Sequence, residues 1–292
     1  MNKKQPLPRV AAHMNVLNDM EFLPYVLEGL LQAPIEKIMI VEMSEPPSKE
    51  ARMINEESEP YGLSTDGTTE FLQKMEKDHP DRILYYPMGF TDSMETAREM
   101  LVTKTPENIQ FMLRVDGDEV FLQNELKFSF RIMQNNPQHI GLSNIYQFWK
   151  DLQHIITSTS ASHWTEMKPR ILPFSRDVRY THPDYTTLFT VLPKIQLPLT
   201  SYHLGWARVP LRSLDRLIHY NFKWEAMTDY DRAKAWALQH PLYTGDMDKP
   251  IYQMDKDVGM KVIPFEAVLP EVIRDLVKPS EHEPHVRRTT AA

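Results

Sequence analysis

Apolar segments of strand length alternate with amphipathic segments of helix length over residues 8–122, and this order constrains the fold more than any other feature of the chain. The strand-like segments are residues 9–16, 37–42, 82–86 and 109–115. After the first of them, one helical face carries the spacing Leu23, Val26, Leu27, Leu30 and Leu31. Helices of this length join parallel strands by right-handed crossovers. The pattern therefore predicts an α/β fold with a mixed, mainly parallel central sheet flanked by helices.

Polar residues mark where the helices between these strands begin. Asn18 and Glu21 resemble a capping pair, in which each side chain bonds a free backbone amide of the first turn. Pro24 indicates that the regular helix starts close to it. Asp66 precedes a second helix and could cap that helix with its carboxylate. A third helix is predicted over residues 94–102.

The fourth predicted strand ends abruptly in three acids, Asp116, Asp118 and Glu119. The chain contains the pattern Asp-x-Asp four times, but the other three copies lie in polar segments that we expect to be solvated: Asp229/Asp231, Asp246/Asp248 and Asp255/Asp257. In open α/β sheets, ligands bind at the carboxyl ends of the strands. Clustered carboxylates at that edge suit a hard divalent cation, often shared with nucleotide phosphates. The alternative is an acidic turn that only ends a strand.

The order of predicted strands and helices changes in the second half of the chain. Residues Ile140–Trp149, 170–174, Thr187–Val191 and 197–203 resemble strands without helices between them, which predicts a mixed or antiparallel edge. Helices are predicted over residues 209–220 and 223–239, and the polar residues 279–292 are expected to form a flexible tail. No linker divides the chain. We therefore predict one compact domain whose halves are residues 1–122 and 123–278.

Composition excludes several classes of site. The chain has 292 residues, a net charge of −7 and no cysteine, so disulfides and cysteine-ligated metals are excluded. Only nine glycines are present, and none forms the glycine loops typical of dinucleotide or triphosphate sites. Nucleic-acid binding would need a local basic patch. The N-terminus lacks the apolar stretch of a signal peptide, and no apolar run could span a bilayer, so we expect a cytoplasmic protein.

Taken in order, the motifs resemble glycosyltransferase family 2, whose members have the GT-A fold. The matching segments are Asn18-Asp-Met-Glu-Phe-Leu-Pro24, Ile38-Met-Ile-Val-Glu42, Ser64-Thr-Asp-Gly-Thr68 and Val115-Asp-Gly-Asp-Glu119. Ser201-Tyr-His-Leu-Gly-Trp-Ala-Arg208 resembles a segment that brings a histidine towards the metal in some members. The chain departs from the family where residues 43–63 separate Glu42 from Asp66. The insertion could reshape the nucleotide pocket.

This resemblance implies a metal-dependent enzyme that moves a sugar from a nucleotide-sugar donor, UDP- or GDP-linked first of all, to a hydroxyl of a glycan or other acceptor. It implies Mn²⁺ or Mg²⁺ held by Asp118, with Asp116 near the ribose or the metal's water shell and His203 completing the coordination. A structural histidine is the alternative reading of His203. The resemblance implies that Glu42 or Asp66 contacts the nucleobase, and Glu42 is favoured because it ends a strand. The arginines that could bind diphosphate are Arg114, Arg170 and Arg208.

Family 2 enzymes invert the anomeric centre, which requires a carboxylate to take the acceptor proton. Asp151 and Glu166 are the first candidates, because they flank a segment from Trp149 to Trp164 whose aromatic rings could stack on a sugar. The other acids that follow second-half strands are Asp177, Asp184 and Glu225. The sequence does not choose among them.

Three alternatives stay open at this point. A glycosyltransferase of viral type could modify DNA bases, using Lys and Arg residues around 168–179 as a basic patch. A metal-dependent phosphoesterase would need clustered His and Asp for two metals, and its usual Asp-x-His and Gly-Asn-His patterns are absent from the sequence. A GT-A-like protein could also bind a nucleotide without catalysis.

Overall fold

The computed structural model describes residues 6–44, 62–158, 167–182, 185–207, 230–239, 260–274 and 276. Their twelve strands are β1 (Val10–Val16), β2 (Lys37–Ser44), β3 (Ile83–Phe90), β4 (Phe111–Asp116), β5 (Glu119–Phe121), β6 (Ile140–Trp149), β7 (Asp151–Ser158), β8 (Lys168–Pro173), β9 (Tyr180–His182), β10 (Tyr185–Thr186), β11 (Lys194–Trp206) and β12 (Met260–Pro264). The helices are α1 (Leu23–Gln32), α2 (Thr68–Asp78), α3 (Met94–Lys104), α4 (Gln123–Asn135), α5 (Thr187–Val191), α6 (Tyr230–Gln239) and α7 (Glu271–Arg274).

The mixed α/β sheet predicted from the sequence is confirmed. Strands β3, β2, β1 and β4 lie side by side and pair in parallel, with β1 and β2 in the interior. From β4 onward the pairing becomes antiparallel through β8, β6, β7 and β12. Strand β11 returns to a parallel arrangement beside β6 and also pairs antiparallel with β5. The sheet therefore runs without interruption from the first half of the chain into the second.

The two faces of the parallel strands bury different side chains, because successive residues of a strand point to opposite sides. One face packs α1 and α2 on Val10, Ala12, Met14, Ile38 and Ile40. The other face packs α3 on a smaller cluster that includes Ala11, Met39 and Leu101. Because both faces are covered, β1 and β2 carry apolar residues on both faces, which is why the sequence signal was strong there.

Several local predictions were wrong. Residues Thr187–Val191 form the short helix α5 rather than a strand. Their β-branched composition suggested a strand, but the Phe189 ring packs on Tyr185 at 4.6 Å and the Thr190 hydroxyl donates to the Thr187 carbonyl at 3.0 Å. These local contacts close a helical turn. The segments 209–220 and 223–229 of the predicted C-terminal helices lie outside the described residues, whereas 230–239 is helical as predicted.

The predicted capping pair of α1 was also wrong. The helix begins at Leu23 after Phe22, with no side-chain cap, and Pro24 lies in the first turn as expected. Asn18 instead adopts a left-handed backbone with φ of 51°, and its side-chain Oδ1 accepts from Thr65 N at 2.9 Å. Asp66 does accept the Thr68 amide at 3.1 Å, at the start of α2. Strands β7 and β12 and helix α4 had not been predicted.

Buried His13, on β1, makes the stability of this sheet sensitive to acid. Its Nε2 lies 2.8 Å from the Thr105 hydroxyl, which donates its own hydrogen to the Leu101 carbonyl. The imidazole can therefore donate from Nε2 to the hydroxyl oxygen, and its buried Nδ1 has no hydrogen-bond partner among the described residues. Burial, helped by the nearby charge of Arg98, lowers the pKa of His13 to about 3. The positively charged form of His13 is therefore unfavourable in this core.

We predict that acid destabilises the protein through His13. The unfolded state binds a proton near pH 6.5 and the folded state only near pH 3, so the unfolded state holds more protons between these values. The free energy of unfolding should therefore fall by up to about 1.4 kcal/mol per pH unit as the pH drops below about 6. His13→Gln should flatten this slope in urea titrations between pH 7 and 5. His79→Gln, outside the core, should leave it in place; an unchanged slope in His13→Gln contradicts the prediction.

Candidate functional site

The carboxyl ends of β1, β2 and β4 meet at one edge of the sheet, as the sequence predicted. The register pairs Asn15 with both Val41 and Asp116, and Val16 with Glu42. Asp116 ends β4, and Asp118 follows after Gly117, immediately before β5. This is the edge at which ligands bind in open α/β sheets.

Asp118 and His203, both predicted as metal ligands, lie together. The Leu204 amide donates to the Asp118 carbonyl at 2.8 Å, and β11 pairs with β5 so that His203 faces Glu119 across the ladder. The His203 Nε2 and the Asp118 Oδ1 are 3.4 Å apart, and their side chains are 13% and 6% exposed. The Nδ1 of His203 is buried without a hydrogen-bond partner among the described residues. A carboxylate oxygen and an imidazole nitrogen thus face each other at the sheet edge.

Glu119, the third acid of the cluster, has a structural role. It is completely buried and forms an ion pair with Arg170. Its Oε1 also accepts from the Ser201 hydroxyl at 2.8 Å, and its Oε2 accepts from the Asp116 amide at 3.1 Å. Glu119 therefore holds the acidic turn in place. Arg170, one of the three arginines predicted to bind diphosphate, is 2% exposed and helps Glu119 to hold the turn.

Asp116 is surrounded by arginines. Its carboxylate lies 3.3 Å from Nη2 of Arg98 and 3.4 Å from Nη2 of Arg170, and its side chain is 31% exposed. Burial by itself would raise the pKa of Asp116, but the charges of Arg170, Arg98 and Arg114 outweigh it and hold the pKa below its ordinary value. Asp116 is therefore ionised at neutral pH. Arg98 was missed by the sequence analysis, although it lies in the predicted third helix.

Two further residues of this edge were also missed. The Asn15 carboxamide lies beside Asp116 in register, and both of its polar atoms are buried without a hydrogen-bond partner among the described residues. Native buried amides are nearly always hydrogen-bonded, so this one is suited to a ligand. Asp19 packs its carboxylate against Gly117: a methyl group there would lie 2.9 Å from Cγ of Asp19 and closer still to its Oδ2. The available signal was their position, Asn15 near the carboxyl end of β1 and Asp19 shortly after it.

The two candidates for a nucleobase contact are both engaged with the protein. Glu42 is completely buried and accepts from the Ser64 amide at 2.6 Å, from the Thr69 hydroxyl at 2.8 Å and from the Tyr85 hydroxyl. Asp66 accepts from the Met20 amide at 3.1 Å and from Thr68. Both acids fasten the segment before α2 to the sheet edge. A nucleobase contact by Glu42 would require some of these hydrogen bonds to break.

The remaining predicted residues are more dispersed. Arg114 is buried on β4, on the same face as Asp116. Asp151 is half-exposed at the turn between β6 and β7, where it lies 2.9 Å from the His154 Nδ1. Trp149 is 1% exposed, so its proposed stacking on a sugar was wrong. Glu166, Trp164, Asp184, Arg208 and Glu225 lie outside the described residues.

Within the ranges that the structure covers, no three His, Asp or Glu side chains cluster closely enough to hold a metal by themselves. The basic patch proposed for DNA lacks Arg170, which is buried against Glu119. No helix in the described part of the chain is long and apolar enough to cross a membrane.

Comparisons with known proteins return solved structures only. No family model and no curated protein matches the chain. The mannosyltransferase PcManGT from Pyrobaculum calidifontis, solved with GDP-Man and Mn²⁺, is 12% identical over 83% of this chain and 77% of that one, with a TM-score of 0.43. TarS from S. aureus, solved with UDP-GlcNAc, is 12% identical over 79% of this chain and 71% of that one, with a TM-score of 0.42.

GalNAc-T7, solved with UDP, GalNAc and Mn²⁺, is 9% identical over 49% of this chain, with a TM-score of 0.39. The present chain spans 24% of that structure. The fold described above rests on the strand order and register of this chain itself, since all three scores are low.

We predict that the contact between Gly117 and Asp19 constrains the acidic turn. Gly117→Ala should destabilise the protein by about 1–3 kcal/mol, because the new methyl group overlaps the Asp19 carboxylate. Asp19→Ala in the same chain should relieve most of that cost, giving a coupling energy of at least about 0.5 kcal/mol in a double-mutant cycle. Gly29→Ala, with no atom within 4 Å of the added methyl group, is the matched control. Additive costs in the cycle would disprove the contact.

Proposed function

We propose that this protein is a metal-dependent glycosyltransferase that transfers a sugar from a nucleotide-sugar donor to an acceptor hydroxyl, with inversion at the anomeric carbon. The observation that carries the proposal is the pairing of Asp118 with His203 beside an ionised Asp116 at the carboxyl edge of the sheet. The order of motifs along the chain, which resembles family 2, supports the same activity.

The side chains at this edge suit a divalent cation that is shared with a bound ligand. Asp118 offers a carboxylate oxygen and His203 an imidazole nitrogen, a combination suited to Mn²⁺ and, with more oxygen ligands, to Mg²⁺. Two protein ligands leave positions for phosphate oxygens and water, as is usual where a metal binds a nucleotide. When bound, the cation would neutralise the negative charge of the leaving diphosphate. Asp118 and His203 are the residues that would hold it.

The neighbouring residues position the donor. Asp116 is kept ionised by Arg98 and Arg170, so it can accept hydrogen bonds from ribose hydroxyls. The Asn15 carboxamide, which has no hydrogen-bond partner among the described residues, can both donate to and accept from the nucleotide sugar. Glu42 and Asp66 hold the segment before α2 at the same edge. In this proposal they shape the nucleobase side of the pocket through that segment.

The acceptor must lose a proton while the sugar transfers, and a carboxylate is the group expected to take it. Asp151 is half-exposed, and the His154 imidazole beside it could orient its carboxylate. Glu166 is the other candidate. The acceptor itself is proposed to be a glycan or another hydroxyl compound. A modified DNA base is a less favoured acceptor, because the chain is acidic and Arg170 is buried.

We expect one nucleoside diphosphate to stabilise the protein when Mn²⁺ is present. Thermal unfolding should be measured with UDP, GDP, CDP, dTDP and ADP, each with and without Mn²⁺. A ligand at about 100 times its dissociation constant adds about 2.7 kcal/mol of stability. Asp118→Asn and His203→Gln should abolish the metal-dependent part of the shift. Asp78→Asn, an exposed acid paired with Lys74, is the charge-matched control.

Absence of a shift with every nucleotide would refute a nucleotide-sugar site. A shift without any transfer of sugar from the corresponding donor to a glycan array would favour a binding protein that has lost catalysis.

We predict that the proton acceptor can be identified by separating chemistry from donor binding. In single-turnover assays with the donor found above, the amide variant of the true base should slow transfer by about 10²–10⁴-fold and leave the nucleotide shift unchanged. Asp151→Asn and Glu166→Gln should be compared directly, with His154→Gln testing whether the imidazole orients Asp151. Normal rates in both acid variants would exclude both candidates.

A further inference from the structure

A pocket lies on the α1 side of the sheet, away from the residues proposed to bind the metal and the nucleotide sugar. It is an open pocket lined by α1, the end of β5, the start of α4 and α7, and its volume is about 610 Å³. Small-molecule sites in proteins commonly have volumes of about 300–1,000 Å³. Phe121, in its wall, is three residues beyond Asp118, which places the two sites about 10 Å apart along an extended chain. None of the residues proposed to bind the donor or the metal lines this pocket.

The polar side chains of the pocket form an ordered ladder. Gln123 on α4 donates from Nε2 to Oε1 of Gln32 on α1, and Gln32 in turn donates from Nε2 to Oε1 of Glu28 at 3.1 Å. Within the described part of the chain, each of these amides keeps a second hydrogen, and Glu28 a second oxygen, that bonds no other residue. Donors and acceptors are therefore presented side by side across two helices. Their mutual bonds hold them in place before a ligand arrives, which lowers the cost of binding.

Apart from the amide Asn124, the rest of the lining is apolar or acidic. Phe121 and Pro270 are buried, and the Tyr25 ring is half-buried against the core. Glu271 adds a second carboxylate, and no Lys, Arg or His is found among the described residues that line the pocket. Two carboxylates without a cation disfavour phosphates and other anions. Hydroxyl groups, in contrast, can both donate to carboxylates and accept from amides, and the carbon face of a sugar ring can pack on Tyr25.

We infer that this pocket binds an uncharged saccharide, through the ladder Glu28, Gln32 and Gln123 and the ring of Tyr25. The inference goes beyond the proposed transfer reaction and does not depend on it, because the site has its own ligand groups. It gives the chain a second carbohydrate contact, separate from the donor edge.

Binding should be measured on the full chain by saturation-transfer NMR and calorimetry. The probes are maltohexaose, cellohexaose, mannohexaose, xylohexaose and chitohexaose, with hexagalacturonate as the anionic control and spermidine as the cationic control. At least one neutral hexasaccharide should bind. Gln32→Ala and Gln123→Ala should each weaken it by about tenfold, the loss expected for a hydrogen bond of about 1.4 kcal/mol. Gln134→Ala, which removes an amide side chain of α4 outside the pocket, should have no effect on binding.

Asp118→Asn separates this site from the proposed catalytic one. Saccharide binding that survives Asp118→Asn and is lost in Gln32→Ala supports the inference, even if no nucleotide binds. Binding lost in Asp118→Asn but kept in both pocket variants would assign the saccharide to the donor edge and overturn it. Binding of spermidine alone, or of no probe, would also overturn it. Thermal unfolding of each variant confirms that the fold is intact.

Discussion

The buried ion pair between Arg170 and Glu119 is the interaction on which the candidate site depends. Arg170 belongs to β8 and Glu119 to β5, and Glu119 also bonds Ser201 on β11 and the Asp116 amide at the end of β4. Three regions distant in sequence, the β4–β5 turn, β8 and β11, are thus joined at the acidic turn. Burying two charges costs desolvation energy, so such a pair is weak evidence of stability in itself. Its consequence here is geometric, because it determines where Asp116 and Asp118 lie.

The turn directs its two aspartates to different partners. Asp116 lies among arginines on the face covered by α3, whereas Asp118 lies against β11 and His203. Gly117 between them leaves room for the Asp19 carboxylate, which a larger residue would displace. Two acids two positions apart therefore have different electrostatic environments. This difference is what allows the proposed division of roles between the metal and the ribose.

The sequence analysis succeeded where a local pattern was sufficient. The parallel strands β1, β2 and β4 are buried on both faces, so their apolar runs were recognisable, and the acids at their ends followed from the same pattern. It failed where a local preference was outweighed. Thr187–Val191 forms a helical turn despite its β-branched residues, and Trp149 is buried in the core rather than exposed to a sugar.

Residues whose importance comes from distant contacts were missed for a related reason. Arg98 resembles any basic residue of a helix until α3 packs it against Asp116, and Asn15 resembles an ordinary strand residue until β1 pairs with β4. The pocket between α1 and α4 has no sequence signature at all, because Gln32 and Gln123 come together only when those helices pack.

The sequence by itself determined the α/β class, the parallel half of the sheet and the edge at which the acids cluster, because hydrophobic periodicity and strand ends are local properties of the chain. Only the tertiary structure decided which partner each of the buried acids has. Glu42, Asp118 and Glu119 all end or follow an apolar strand, yet Glu119 is neutralised by Arg170, Glu42 is saturated by protein donors and Asp118 faces His203. Those differences arise from partners that lie far away in sequence, and no local pattern records them.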